Sequence, residues 1–287
     1  MQSKTESFAV RMPRAGEKKR WAAGLLAACA LGAACCYGQA PDPVALVKNA
    51  SYNELKAGNK GHPFRYRLHK VDDGKVTTKI IVETKEGDIA RLIEVDDKPL
   101  TPEANQAELD RLNNLHDHPE LQARRHKREQ EDGTRENEMV RLLPDAFLYQ
   151  YVGMVEGPNG PAYRLSFKPN PNFTPPDREA EVYHGMEGEL WIDKAQERMV
   201  KLDTHLIADV NFGWGILGKL YKGGSILVEQ TDVGNQHWEA SHMKLNLTGK
   251  ALMLKPLSFQ TTEDASDFHA VPDAGYKEAI ALVESLK

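Results

Sequence analysis

The sequence predicts an α+β protein: a highly curved antiparallel half-open β-barrel with N-terminal, central and C-terminal helices. Three observations lead there. From Gly185 to Phe259 short β-prone runs follow one another (GELWID, ERMVKLDTHLI, SILVEQTDV, HWEASHMKLNL and ALMLKPLSF), broken by glycine and polar turn signals. That spacing is the signature of an antiparallel meander. Several runs are apolar on both faces, as at Ile226 to Val228 and Leu252 to Leu254, so the sheet is covered on both sides there. Runs with helical spacing frame and interrupt the strands. The meander shows no catalytic signature. It suits a chain that holds something apolar or packs against a partner.

Residues 1–40 read as a leader outside the fold. A basic patch (Arg11, Arg14, Lys18, Lys19, Arg20) precedes the apolar run from Trp21 to Cys36. This is the layout of a cleavable signal peptide. The run is 16 residues long, short of the about 20 that a spanning helix needs. Cleavage is expected after Gly38 or Ala40. Leu26-Ala27-Ala28-Cys29 offers a second outcome, because it resembles the lipobox of an outer-membrane-associated lipoprotein, with Cys29 lipidated. All three cysteines lie in this leader, so the mature chain is held by its core without disulfides. Losing six Lys/Arg and two acids with the leader takes the counts from 37 and 42 to 31 and 40, a net charge of −9. Such an acidic chain argues against a nucleic-acid partner, which needs a basic surface.

The remainder, residues 41–287, reads as a single domain. PDPVALVKNASYNELKAG places Val44, Leu46, Val47 and Leu55 on a helix that ends near Gly58. FRYRLHKV alternates apolar and polar residues, Asp73-Gly74 is a hairpin signal, and KVTTKIIVETK and IARLIEV continue the sheet. From 101 to 140 the chain becomes a charged helical insertion. Thr101-Pro102 reads as a cap with proline at the first helical position. Two helices broken near Pro119 and Gly133 are expected, with a thin apolar stripe (Leu109, Leu112, Leu115, Leu121) and a largely solvated surface. Strand character returns with AFLYQYVGMVEG, the Asn159-Gly160 turn and AYRLSFKP. PNPNFTPPD, with four prolines, is a loop. Residues 275–287 close the chain as a helix through Ala279, Ile280, Leu282, Val283 and Leu286. The total is about ten strands.

The loop NFGWGILGKLYKGG contains spacings that mimic phosphate-binding glycine loops. Those loops need a helix directly after the glycines, whereas here more strand follows, and Leu220 stands where a metal-binding Ser or Thr should be. A nucleotide site is therefore not expected. The loop's other content is apolar: Phe212, Trp214, Ile216, Leu217, Leu220 and Tyr221 among glycines. Together with Leu252 and Leu254 these are the candidate lining or lid of an apolar site, the alternative being a plug that fills the barrel mouth. His237, Glu239 and His242 approximate a zinc signature without matching it. A five-residue separation puts the two histidines on opposite faces of a strand, so no metal site is expected. Asp203 and His205 form a pair, but no nucleophile accompanies them and no catalytic group is assigned.

At this level the layout resembles the LolA/LolB-like superfamily of periplasmic lipoprotein carriers and their relatives, loosely over Asp42 to Val271. GELWIDKAQERMVKLDTHL is the most similar stretch, a Gly-x-Leu-x-Ile-Asp strand, a turn and a strand of alternating character. The resemblance implies an exported periplasmic protein with a helix-plugged half-barrel, no enzyme activity and no cofactor. A lipid, acyl chain or lipoprotein would be its partner. The charged segment Glu120 to Glu138 departs from the carriers, which favours general binding of an apolar ligand. The other reading is a periplasmic interaction or regulatory module, its barrel self-filled and its charged helices docking an envelope protein.

Overall fold

The computed structural model describes residues 40–57, 63–212, 218–234, 236–251 and 255–286. The expected leader up to residue 39 and the candidates Trp214, Ile216, Leu217, Leu252 and Leu254 lie outside the described residues. Among those described, no helix is long and apolar enough to cross a membrane.

Among the described residues thirteen antiparallel strands form one open, curved sheet, where about ten were expected. The order runs β4 (Lys98–Pro99), β3 (Ile89–Val95), β2 (Lys75–Val82), β1 (Phe64–Asp72), β13 (Lys255–Ala270), β12 (His237–Ala251), β11 (Ser225–Gly234), β8 (Met199–Leu206), β7 (Met186–Asp193), β6 (Gly160–Pro169), β5 (Phe147–Gly157). The short β9 (Val210–Phe212) and β10 (Gly218–Leu220) extend the sheet along the end of β12. The expected meander is present, and its last strand pairs with β1, which joins the N-terminal hairpins to it. Asp73 and Gly74 both take positive φ, +47° and +83°, the backbone of the tight hairpin turn that Asp-Gly favours.

Register defines two faces. Leu190, Leu202, Val228, Met243, Glu263, Lys70 and Thr77 lie opposite one another across seven strands, on one face. This inner face is covered over β5 to β8 by helix α1 (Pro43–Ala57), the end of α3 (Pro119–Ala146) and a 3-10 helix (Glu179–Gly185). Leu46, Val47, Ala50, Leu143, Leu165, Leu190 and Leu206 pack there as the main core. On the outer face, Val82 and Ile89 pack beneath α2 (Pro102–Asp117) and α4 (Tyr276–Ser285). Arg91 crosses to α4 and donates to the carbonyls of Val283 (2.6 Å) and Leu286 (2.7 Å), acceptors that a helix end leaves unpaired.

The charged insertion differs from the expectation in two ways. The break occurs at Pro119, but α3 continues through Gly133. A mid-helix glycine costs about 1 kcal/mol, and α3 is anchored at both ends, so the helix persists. Nor is the segment only a solvated face. Glu108 accepts the N–H of Leu92 at 2.8 Å and Arg111 donates to the carbonyl of Ala90 at 2.6 Å. These groups satisfy the part of the β3 edge that the short β4 leaves unpaired, which would otherwise be open to pairing with another chain. The buried Gln122 donates to the carbonyls of Glu86 and Gly87, and Arg125 to that of Asp88, so α3 grips the β2–β3 turn.

Candidate functional site

At the open end of the sheet the inner face continues as an apolar surface that starts under the 3-10 helix, where Gly185 lies against Val210. Leu247 lies opposite Phe259, Gly249 opposite Leu257 and Leu220, and Leu220 opposite Val210. Directly paired residues share a face, so these side chains form one surface with Phe212, which lies opposite Gly218. Burial falls along it. Val210 and Leu247 are buried, Phe212 and Leu220 are half-buried against the main core, and Phe259 is 44 % exposed. Glycine makes the junction close: a Cβ on Gly249 would stand 2.1 Å from the carbonyl oxygen of Lys219. Of the sequence candidates, Phe212 and Leu220 are thus brought together. Tyr221 lies just past β10 and is 39 % exposed. Phe259 and Leu257 were missed, although ALMLKPLSF was already read as a strand; only the pairing register places them here.

The glycine loop does not open a helix. Gly218 begins β10, a strand, and Lys219 pairs with Asp209 at 2.8 Å.

A second cluster lies between the N-terminal hairpin and the start of β12. His237 and Glu239, two apart on one strand, point the same way and meet Glu83 at the end of β2, with their ligand atoms all within 4.8 Å of one another. His237 Nε2 lies 2.5 Å from Glu239 Oε1. The N–H of Phe64 donates to Glu83 Oε2 at 2.9 Å, and the Phe64 ring packs on His237 with centroids 4.6 Å apart. Burial pushes Glu83 up to about 7, with the Glu239 charge adding to it. Burial and the charge of Asp88 push Glu239 up to about 7. Asp88 itself rises to about 6, through burial and then Glu129. Tyr66 is raised by burial and then by Asp88. Arg198 opposes part of this charge from its own ion pair with Glu54 of α1, at 2.6 Å.

The remaining histidine candidates separate. His242 pairs with Asp264 at 2.7 Å. His205 lies opposite Glu187 and pairs with it at 3.3 Å rather than with Asp203. In the insertion, Leu121, Arg124, Arg125 and Arg128 form one stripe of α3 and, with Arg111 and Leu115 of α2, line a basic groove.

No family model matches the chain, and no curated protein matches it by sequence. Among solved structures it is similar to a domain from Vibrio parahaemolyticus ascribed to outer membrane lipoprotein sorting. That likeness has 10 % identity and a TM-score of 0.28 and covers 81 % of this chain and 97 % of that one. A DUF1329 family protein from Desulfovibrio piger gives 11 % identity, coverage of 84 % and 100 %, and a TM-score of 0.28. A LolA superfamily protein from Nitrosomonas europaea gives 10 % identity, coverage of 83 % and 97 %, and a TM-score of 0.27. At these scores the likenesses carry no argument. What the structure itself shows is an open antiparallel sheet with helices on its inner face.

Proposed function

We propose that this is a non-enzymatic binding protein of the bacterial cell envelope, exported to the periplasm, that holds an apolar ligand at the open end of its half-barrel. The ligand would be a lipid or the acyl chain of a lipoprotein. One observation supports the reading most: the inner apolar face continues past its covering helices and ends in Phe259, exposed beside half-buried Leu220 and Phe212. Contiguous exposed apolar surface rimmed by polar residues is where ligands and partners dock. The main core over β5 to β8 is already filled by α1 and α3, so the ligand sits at the mouth. Binding of a fluorescent fatty acid tests this. Phe259→Ser should weaken binding at least about tenfold while the melting temperature stays within about 2 °C, because an exposed side chain contributes little burial. A wild-type protein that binds no probe rejects the reading.

The same filled core favours a second reading, an interaction module that docks an envelope protein through the basic stripe of α3. Under that reading Arg124→Ala with Arg128→Ala would abolish capture of a partner and leave lipid probes without effect.

A further inference from the structure

We propose that Glu83, His237 and Glu239 bind one divalent transition-metal ion of the zinc class. The donor set is an imidazole and two carboxylates, which zinc accepts with a fourth position left for water. The three ligand atoms lie within 4.8 Å of one another. Around zinc, ligand atoms at about 2.1 Å from the ion stand about 3.4 Å apart at tetrahedral corners. As an ion enters, His237 Nε2 and Glu239 Oε1, now 2.5 Å apart, would separate and the more distant donor would draw in.

Two further features are independent of that spacing. First, the donors are held by their surroundings. His237 and Glu239 share one side of β12, the Phe64 N–H fixes the Glu83 carboxylate at 2.9 Å, and the Phe64 ring lies against the imidazole. Outer contacts of this kind orient metal ligands. Second, the local charge is unbalanced. Asp88 adds a third half-buried carboxylate, and Arg198 is already committed to Glu54. Buried carboxylates are ordinarily paired or bound to a metal, and a doubly charged ion would supply the missing charge. Sequence spacing alone hides this site, because its third ligand stands 154 positions before His237, just past the end of β2.

The test uses the full mature chain, stripped with EDTA and titrated with zinc and, separately, with cobalt(II). One equivalent should bind, and cobalt should give a visible absorption band of tetrahedral type. Glu83→Gln and His237→Gln should each weaken zinc binding by more than about tenfold and remove the band. His242→Gln, on a histidine paired elsewhere, should leave both unchanged. Circular dichroism of the metal-free variants reports whether each folds. Calcium binding that His237→Gln leaves intact would overturn the proposal, as would zinc binding unaffected by either ligand variant. Where a variant fails to fold, the wild-type cobalt titration decides, and the absence of a band at one equivalent overturns the site.

Discussion

Glu239→Gln should make the metal-free protein more stable at pH 8 and leave it almost unchanged at pH 4.5. In the folded chain Glu239 is raised from 4.5 to about 7. A carboxyl raised on folding takes up a proton as the chain folds. Its contribution is full below the unfolded value near 4.5 and is lost as pH climbs to about 7. The rise from 4.5 to about 7, at about 1.36 kcal/mol per tenfold in proton affinity, gives a ceiling of roughly 3 kcal/mol for this one group. Glutamine keeps the shape and removes the charge, and it also relieves Glu83, whose own rise depends partly on Glu239. The variant should therefore gain about 2–3 kcal/mol at pH 8, or about 4–10 °C in melting temperature for a chain of this size. Urea unfolding in EDTA at pH 4.5, 6 and 8 measures it. A wild-type stability that is flat from pH 4.5 to 8, or a variant that loses stability equally at all three, would refute the reasoning.

Three further outcomes follow from the packing. Replacing Glu120 to Glu138 with a Gly/Ser linker removes Gln122, Arg125 and Glu129 from the β2–β3 turn, and the melting temperature should fall by more than about 5 °C; a purely solvated arm would leave it unchanged. Arg198→Met strands the Glu54 carboxylate, which is 13 % exposed, and should cost about 3–5 kcal/mol by urea unfolding, with Glu54→Leu in the same chain recovering part of the loss. Intact-mass measurement on the periplasmic fraction should find a chain beginning between Gln39 and Asp42 with no cysteine, whereas a diacylglyceryl group on Cys29 would replace export by anchoring.

Alternation made much of the sheet legible. IARLIEV matches β3, and FRYRLHKV falls short of β1 by one residue. Thr101-Pro102 caps α2 as read, with the Thr101 hydroxyl accepting the Ala104 N–H at 3.2 Å. The second half of β13 was not legible. QTTEDASDFHA is polar and acidic, and its strand is set by partners on both sides, β1 and β12, which lie far away in sequence. Gly133 misled because glycine weakens a helix locally, while the contacts that hold α3 lie at its two ends. At the open end Phe212 and Leu220 were recognisable as apolar, but their joining with Leu247 and Phe259 depends on register. The acid–imidazole cluster was half visible: His237-x-Glu239 on a strand is a two-residue step with both side chains on one side, and nothing local in the sequence points to Glu83.

Native mass spectrometry of protein purified from bacterial membranes tests the apolar-ligand proposal most directly. A chain that holds a lipid at the open end should carry a lipid-sized mass adduct, and Phe259→Ser should reduce the loaded fraction without loss of folded protein. A wild-type spectrum showing only the bare chain, from protein that is folded and mixed with excess lipid, would contradict the account.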